Sequence, residues 1–218
     1  MIASLPAKTL SLFEAPVDDP TVAGRARFVA QALRELGPEP VLVAHGLAVP
    51  VALHAAPQVP GLRLVLSNGP VSHLDPLSAL LFRLPAASLR TLLRPGLALP
   101  ALASSAGLRR AVRNPYVMDR DTVVAVCGPL LGEPGARAAA VDFLRSLPAA
   151  LRSTPRFFGP TLLCWGDEDR LYPPSTVDEA RLLLPAAVHH AIPGGRLMHP
   201  VERPWATADS VVSWLAEG

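Results

Sequence analysis

Two residue types are almost missing from this chain. Of its 20 lysines and arginines only Lys8 is a lysine, and of its 218 residues only Cys127 and Cys164 are cysteines. Two cysteines in unrelated apolar segments exclude a disulfide framework and match no metal-ligand spacing. Both are expected to be buried free thiols. Charged residues are also scarce, at 17%, which excludes a disordered, solvating chain. The formal net charge is +2 and the basic residues are spread along the sequence, so no nucleic-acid-binding patch is in evidence. No apolar run reaches the roughly 18 residues that cross a bilayer. Met1 to Phe13 lacks a basic stretch followed by an uninterrupted apolar one, so a secretory leader is not expected and the cytoplasm is the default location. Arginine in place of lysine, with abundant Ala, Leu and Pro, is the bias of a GC-rich bacterial genome and says little about partners.

What is present is apolar and heavily punctuated. Half of the residues are hydrophobic, and 25 prolines and 15 glycines interrupt them. A chain of this length buries one good core, with room for a sub-domain. Thr9 to Phe13 is a short strand candidate. Apolar residues at helical spacing predict a helix over Thr21 to Leu36, stopped by Gly37-Pro38. Pro40 to Ala44 reads as a buried strand, Leu47 to Ala56 as a helix with Pro50 in its first turn, and Leu62 to Leu66 as the next strand. From Pro76 to Arg156 no core strand appears, only helical pieces broken by prolines. Strands resume at Thr161 to Trp165 and Val188 to Ile192, with a helix at Ser175 to Leu184 between them. A last amphipathic helix, roughly Trp205 to Leu215, is expected to bury Ala208, Val211, Val212 and Leu215.

Alternating strands and helices with continuous apolar strands predict an α/β fold with a mostly parallel sheet of about five strands. The expected division is an α/β core over 1–74 and 157–218, with a helical lid over 75–156. Ligands in such sheets bind at the C-terminal strand ends. Gly46, Asn68 and Asp169 all fall there and are expected to share one crevice.

Three stretches resemble the α/β-hydrolase superfamily, in its lidded esterase, lactonase and epoxide-hydrolase-like branch. Val41-Leu42-Val43-Ala44-His45-Gly46-Leu47-Ala48 is similar to the family's strand followed by Gly-His-Ser-x-Gly, the turn that carries the nucleophile. Pro160 to Pro173 contains Trp165-Gly166-Asp167-Glu168-Asp169 and resembles the strand and turn of the catalytic acid, which would place that acid at Asp169. Ile192-Pro193-Gly194-Gly195 through Pro204 resembles the histidine loop. The order of nucleophile, acid and histidine matches.

The departures from that pattern are informative. Gly46 stands at the serine position, so no acyl-enzyme can form there. Aligned without gaps, the catalytic histidine falls on Leu197. Only 45 residues precede Gly46 where the family has about four strands, so the loop that gives half of the oxyanion hole is not expected. The resemblance therefore implies an N-terminally shortened body with a degenerate triad. Its first strand would be a bare apolar edge unless Thr9 to Phe13 covers it, and a homodimer through that edge is expected.

The candidate catalytic residues are Asp169, His199 and His45. Asp167 and Glu168 beside Asp169 are expected to raise its pKa as like charges do. Asp169 also reads as a turn cap, or as a partner of Arg170 or Arg196. His199 lies two residues past the expected histidine, within reach of Asp169 after a small loop rearrangement. His45 reads as packing beneath the turn, or as a polar contact beside the opening at Gly46. Gly46, Leu47, Asn68 and His73 are the ligand-binding candidates. Ser67 and Cys164 are the remaining nucleophile types on the core strands. His189-His190 lack a third metal ligand, and no cofactor or metal is expected. The apolar residues Leu77, Leu80, Leu81, Phe82, Leu92 and Leu93 are expected to line a hydrophobic pocket or to pack as helix core. Three functions stay open. One is a non-hydrolytic enzyme of lyase, cyclase or isomerase type acting on a small apolar molecule. The second is an inert pseudoenzyme that binds or assembles. The third is a hydrolase in which Asp169 and His199 activate water.

Overall fold

A computed structural model describes residues 18–217. The first helix, α1 (Val22–Glu35), begins where Thr21 accepts a hydrogen bond from Gly24 N at 3.2 Å. Val22, Ala26, Val29, Ala30 and Leu33 fall on one face and are buried. The chain then enters β1 (Val41–His45), a short 3₁₀ turn (Gly46–Ala48) and α2 (Val49–Ala55), with Pro50 in the first turn as expected. Next come β2 (Arg63–Ser67) and a run of helices: α3 (Pro76–Leu81), α4 (Ala86–Leu92), α5 (Pro95–Leu102), α6 (Arg120–Gly132) and α7 (Pro134–Arg152). The chain ends with β3 (Thr161–Gly166), α8 (Ser175–Leu183), β4 (Ala187–Ile192), α9 (His199–Glu202) and α10 (Pro204–Glu217).

Among the described residues four parallel strands make one sheet in the order β1-β2-β3-β4. The fifth strand candidate, Thr9 to Phe13, lies outside the described residues. One face of the sheet carries Ala44, Leu64, Leu66, Leu163 and Trp165 against α1, α2, α7 and α8, the main core. The other face carries Val65, Leu162 and Cys164 against Val211 and Trp214 of α10.

Four expectations need correction. The strand at Val41 is not buried on both faces: Val41 is 39% and Val43 58% exposed. Both point to the α10 side, and α10 stops at β2, where Arg63 lies 4.6 Å from the Trp214 ring and donates to the carbonyls of Trp214 and Leu215. The buried stripe of α10 is Thr207, Val211 and Trp214, with Leu215 half-buried and Val212 exposed. Trp214 is the largest apolar side chain facing the sheet, so it sets the helix rotation. Cys127 is half-buried, whereas Cys164 is fully buried; both are free thiols. Finally, α7 does not sit apart with the other insertion helices. Its Phe143, Leu147 and Leu151 belong to the main core, and Ser146 accepts from Val22 N at 2.9 Å. A separate small cluster of Val112, Met118 and Val123 holds the middle of the insertion together.

No helix among the described residues is long and apolar enough to cross a membrane.

Candidate functional site

The turn from β1 into α2 has the geometry of a nucleophile elbow. His45 is extended, at φ −132°, and Gly46 reverses to φ +59° before the chain turns helical. That left-handed conformation is open to glycine at no steric cost. A Cβ built on Gly46 would meet nothing within 4 Å. The turn is held from beneath by β2: Gly46 N donates to Asn68 O at 2.9 Å. Gly69 lies so close that a Cβ there would stand 2.3 Å from Gly46 O and 2.8 Å from Val49 Cγ2.

Asn68 ties the elbow to the acid turn. Its Oδ1 accepts from Gly166 N at 2.7 Å, and its Nδ2 donates to Asp169 Oδ2 at 2.6 Å. Asp169 Oδ1 accepts from Leu171 N at 2.9 Å. Burial raises the Asp169 pKa above the usual carboxylate value, against the pull of these hydrogen bonds. The expected cause, repulsion by Asp167 and Glu168, is not the operative one. Asp167 turns away to accept from Gly194 N at 2.7 Å, and Glu168 pairs with Arg113 at 3.3 Å. Asp169 is thus a turn cap, and neither Arg170 nor Arg196 pairs with it.

His199 enters a different network. Its Nδ1 lies 2.8 Å from Thr207 Oγ1 on α10, and its Nε2 lies 2.8 Å from Ser67 Oγ at the end of β2. Ser67 Oγ is also 3.0 Å from His45 Nδ1. Thr207 spends its proton on Arg203 O at 2.9 Å, so His199 Nδ1 donates to Thr207. His199 Nε2 is then an acceptor for the Ser67 hydroxyl, and His45 Nδ1–H donates to Ser67. Every donor in the chain has one acceptor when both imidazoles are neutral. Burial enforces that state: it lowers the His199 pKa to about 3, with His45 adding to the effect, and lowers that of His45 to about 4.

Asp169 and His199 are not brought together as a dyad; no hydrogen bond joins them. The reason is the two-residue offset. Leu197 packs against the main core, while His199, starting α9, turns its ring beneath the sheet toward α10. Ser67 donating to an imidazole held by a third group is the arrangement of an activated nucleophile. Yet Ser67 is 4% exposed and His199 0%.

The ligand-binding candidates also separate. Leu47 packs on the main core, Asn68 is fully buried, and His73 is exposed and pairs with Glu179 at 3.1 Å. His189 and His190 are half-buried on β4, and His190 bonds Ser210 at 3.0 Å. Among the described residues no group of three or more His, Cys, Asp or Glu is placed to hold a metal ion.

A cavity of about 480 Å³ lies instead between the loops after β3 and β4 and the insertion. Arg109, Arg110, Arg170 and Arg196 line it, with Ser105 and Leu171 among the other walls. The apolar pocket expected from Leu77, Leu80, Leu81, Phe82, Leu92 and Leu93 is not this one: none of them lines it, and Leu77, Leu80 and Leu92 are exposed. Nor do Gly46, Asn68 or His73. The insertion is strapped down here: Met198 N donates to Ala111 O, Arg196 Nη1 to Val112 O at 2.9 Å, and Arg113 N and Asn114 N donate to Glu202 Oε1 at 2.6 and 2.8 Å. Sequence reasoning missed this cluster. Its only local signal is the Arg109-Arg110 pair, and Arg170 and Arg196 flank motifs read for other reasons.

The fold these elements build is that of the α/β-hydrolases. A thermophilic esterase from Thermogutta terrifontis, with malate bound, matches at a TM-score of 0.69 and 18% identity, over 94% of this chain and 75% of that one. An α/β-hydrolase fold protein from Burkholderia ambifaria matches at 0.71 and 19% identity, over 91% and 74%. A laboratory-evolved variant of potato epoxide hydrolase matches at 0.64 and 15% identity, over 94% and 80%. No family model matches the sequence, and no curated protein matches it.

Proposed function

We propose that this chain is a hydrolase-fold protein that binds a small molecule at the C-terminal end of its sheet without hydrolysing it. The observation that carries the reading is the turn at Gly46. Its backbone keeps the left-handed conformation that would present a nucleophile, and the residue there has no side chain. An acyl-enzyme needs an attacking atom, and this position supplies none. Leu197, at the position where the resemblance expects the base, packs against the main core.

The groups that a lyase, cyclase or isomerase would use to move protons are already engaged. Both carboxylate oxygens of Asp169 accept hydrogen bonds, and both ring nitrogens of His199 are bonded inside the protein. Their geometry favours holding the loops over moving protons, so binding is the reading they support over non-hydrolytic catalysis.

The test is ester hydrolysis over a panel of p-nitrophenyl esters, with labelling by a fluorophosphonate probe alongside. Wild type is expected to turn over no ester and to take up no label. Ester turnover by the wild type would overturn the reading, and its loss in Asp169→Asn would restore the water-activating hydrolase.

A further inference from the structure

Four arginines from three separate segments line the cavity of about 480 Å³. Arg109 and Arg110 come from the 3₁₀ turn Leu108–Ala111, Arg170 from the residue after the buried acid, and Arg196 from the loop after β4. None of the four stands in an ion pair among the described residues. The acids around them are committed elsewhere. Glu168 pairs with Arg113, and Asp169 is buried with both oxygens hydrogen-bonded. Asp119 accepts from Thr122 N at 2.8 Å and feels Arg109 only as a lesser influence.

Four like charges around one small volume repel each other and create a strong positive potential that attracts anions. Arg196 is the anchored member of the four. Its Nη1 is fixed on Val112 O at 2.9 Å, while its Nε is buried with no hydrogen-bond partner. Guanidinium groups are also suited to planar, bidentate recognition of carboxylate and phosphate.

We propose that this cavity binds a small organic oxyanion carrying two or more negative charges, held by Arg109, Arg110 and Arg170 around an Arg196 fixed in place by Val112. A single negative charge would leave most of the lining unbalanced, whereas a dianion or trianion spans several guanidiniums within the volume. The inference rests on the binding reading above and names the ligand class, which is anionic where the sequence suggested an apolar one.

The test is isothermal titration calorimetry at fixed ionic strength, with citrate and pyrophosphate as the probes. Three proteins are compared: wild type, Arg109→Gln/Arg110→Gln, and Arg83→Gln/Arg90→Gln. The last pair removes the same charge from exposed positions that do not line the cavity. Arg109 and Arg110 are themselves exposed, and an unchanged melting temperature verifies that their variant folds. Wild type and the control are expected to bind at least one probe, and the cavity variant to bind it about tenfold or more weakly. Binding of citrate alone assigns the site to carboxylates, and binding of pyrophosphate alone to phosphates. No binding of either probe up to about 10 mM, or equal weakening in both variants, overturns the proposal. Ester turnover by the wild type would overturn the non-hydrolytic reading and leave this site standing; loss of selectivity in the titration would do the reverse.

Discussion

Acid should weaken this protein through His199. The residue is fully buried, and its pKa in the folded state is about 3. In the unfolded chain an imidazole titrates near 6.5, at about its unperturbed value. The folded pKa is the lower of the two, so between them the unfolded chain binds the proton and the folded chain does not. Stability therefore falls as pH drops below about 6.5 and stops falling near the folded value of about 3. At about pH 5 the pH has moved about one and a half units below the unfolded pKa, at about 1.4 kcal/mol per unit, which is a loss of about 2 kcal/mol. His45 adds in the same direction, and Asp169, with its raised pKa, in the opposite one. Both are shared by wild type and His199→Gln, so the comparison between the two proteins isolates His199. Glutamine has a donor and an acceptor for Thr207 and Ser67 but binds no proton. The assay is urea unfolding followed by circular dichroism at about pH 7.5 and about pH 5. With a slope of about 2 kcal/mol per molar urea, the wild-type midpoint should fall by about 1 M more than that of His199→Gln. Equal falls in the two proteins would refute the reasoning, because His199 would then bind its proton equally in both states.

Two further perturbations test how the elbow is held. Asn68→Leu keeps the size of the side chain but leaves Gly166 N–H and the Asp169 carboxylate without their buried partner. It should cost on the order of 3 kcal/mol in urea unfolding, and a loss below about 0.5 kcal/mol would mean that water or another group replaces Asn68. Gly69→Ala would push a Cβ to 2.3 Å from Gly46 O, which is backbone and must move. It should cost about 1–3 kcal/mol, whereas Gly96→Ala, with open space around it, should not destabilise; equal stability of the two variants would show that the elbow yields easily.

The sequence makes the strands and their helices legible because β1, β2 and β3 are short, mostly apolar runs and β4, despite His189-His190, is set between Pro185 and Pro193. Periodicity also finds α1, whose buried face recurs at helical spacing from Val22 to Leu33. What it cannot give is the environment that each face meets. Val41 and Val43 read as buried and are exposed, because the covering α10 ends at Arg63. Likewise α7 reads as part of the insertion, yet Phe143 and Leu147 are core, a pairing set by tertiary packing that no local pattern carries. The site shows the same limit. The turn at Gly46 and the acid at Asp169 sit in recognisable strings. The arginine cavity is assembled from three separate segments, at Arg109-Arg110, Arg170 and Arg196, and the partners of His199 are chosen by which side of the loop it leaves.

Ser67 and Asn68 explain how the buried polar groups beside the elbow are held in place. As neighbours at the end of β2 they turn to different sides. Ser67 reaches His45, His199 and, through His199, α10; Asn68 reaches Gly166 and Asp169. Between them they satisfy buried donors and acceptors at the ends of β1 and β3, at the start of α9 and in the acid turn, and removing one partner would leave the other unpaired at a cost of about 1–3 kcal/mol. The elbow itself needs no serine to persist. Its left-handed turn is fixed by Asn68 O and by the close approach of Gly69, and any side chain at position 46 would add strain of about 1 kcal/mol or more. Glycine is thus the residue that the backbone favours at that turn once nothing has to attack from it. The shape of a hydrolase elbow here follows from packing and hydrogen bonding alone, and it cannot by itself be taken as evidence of hydrolysis.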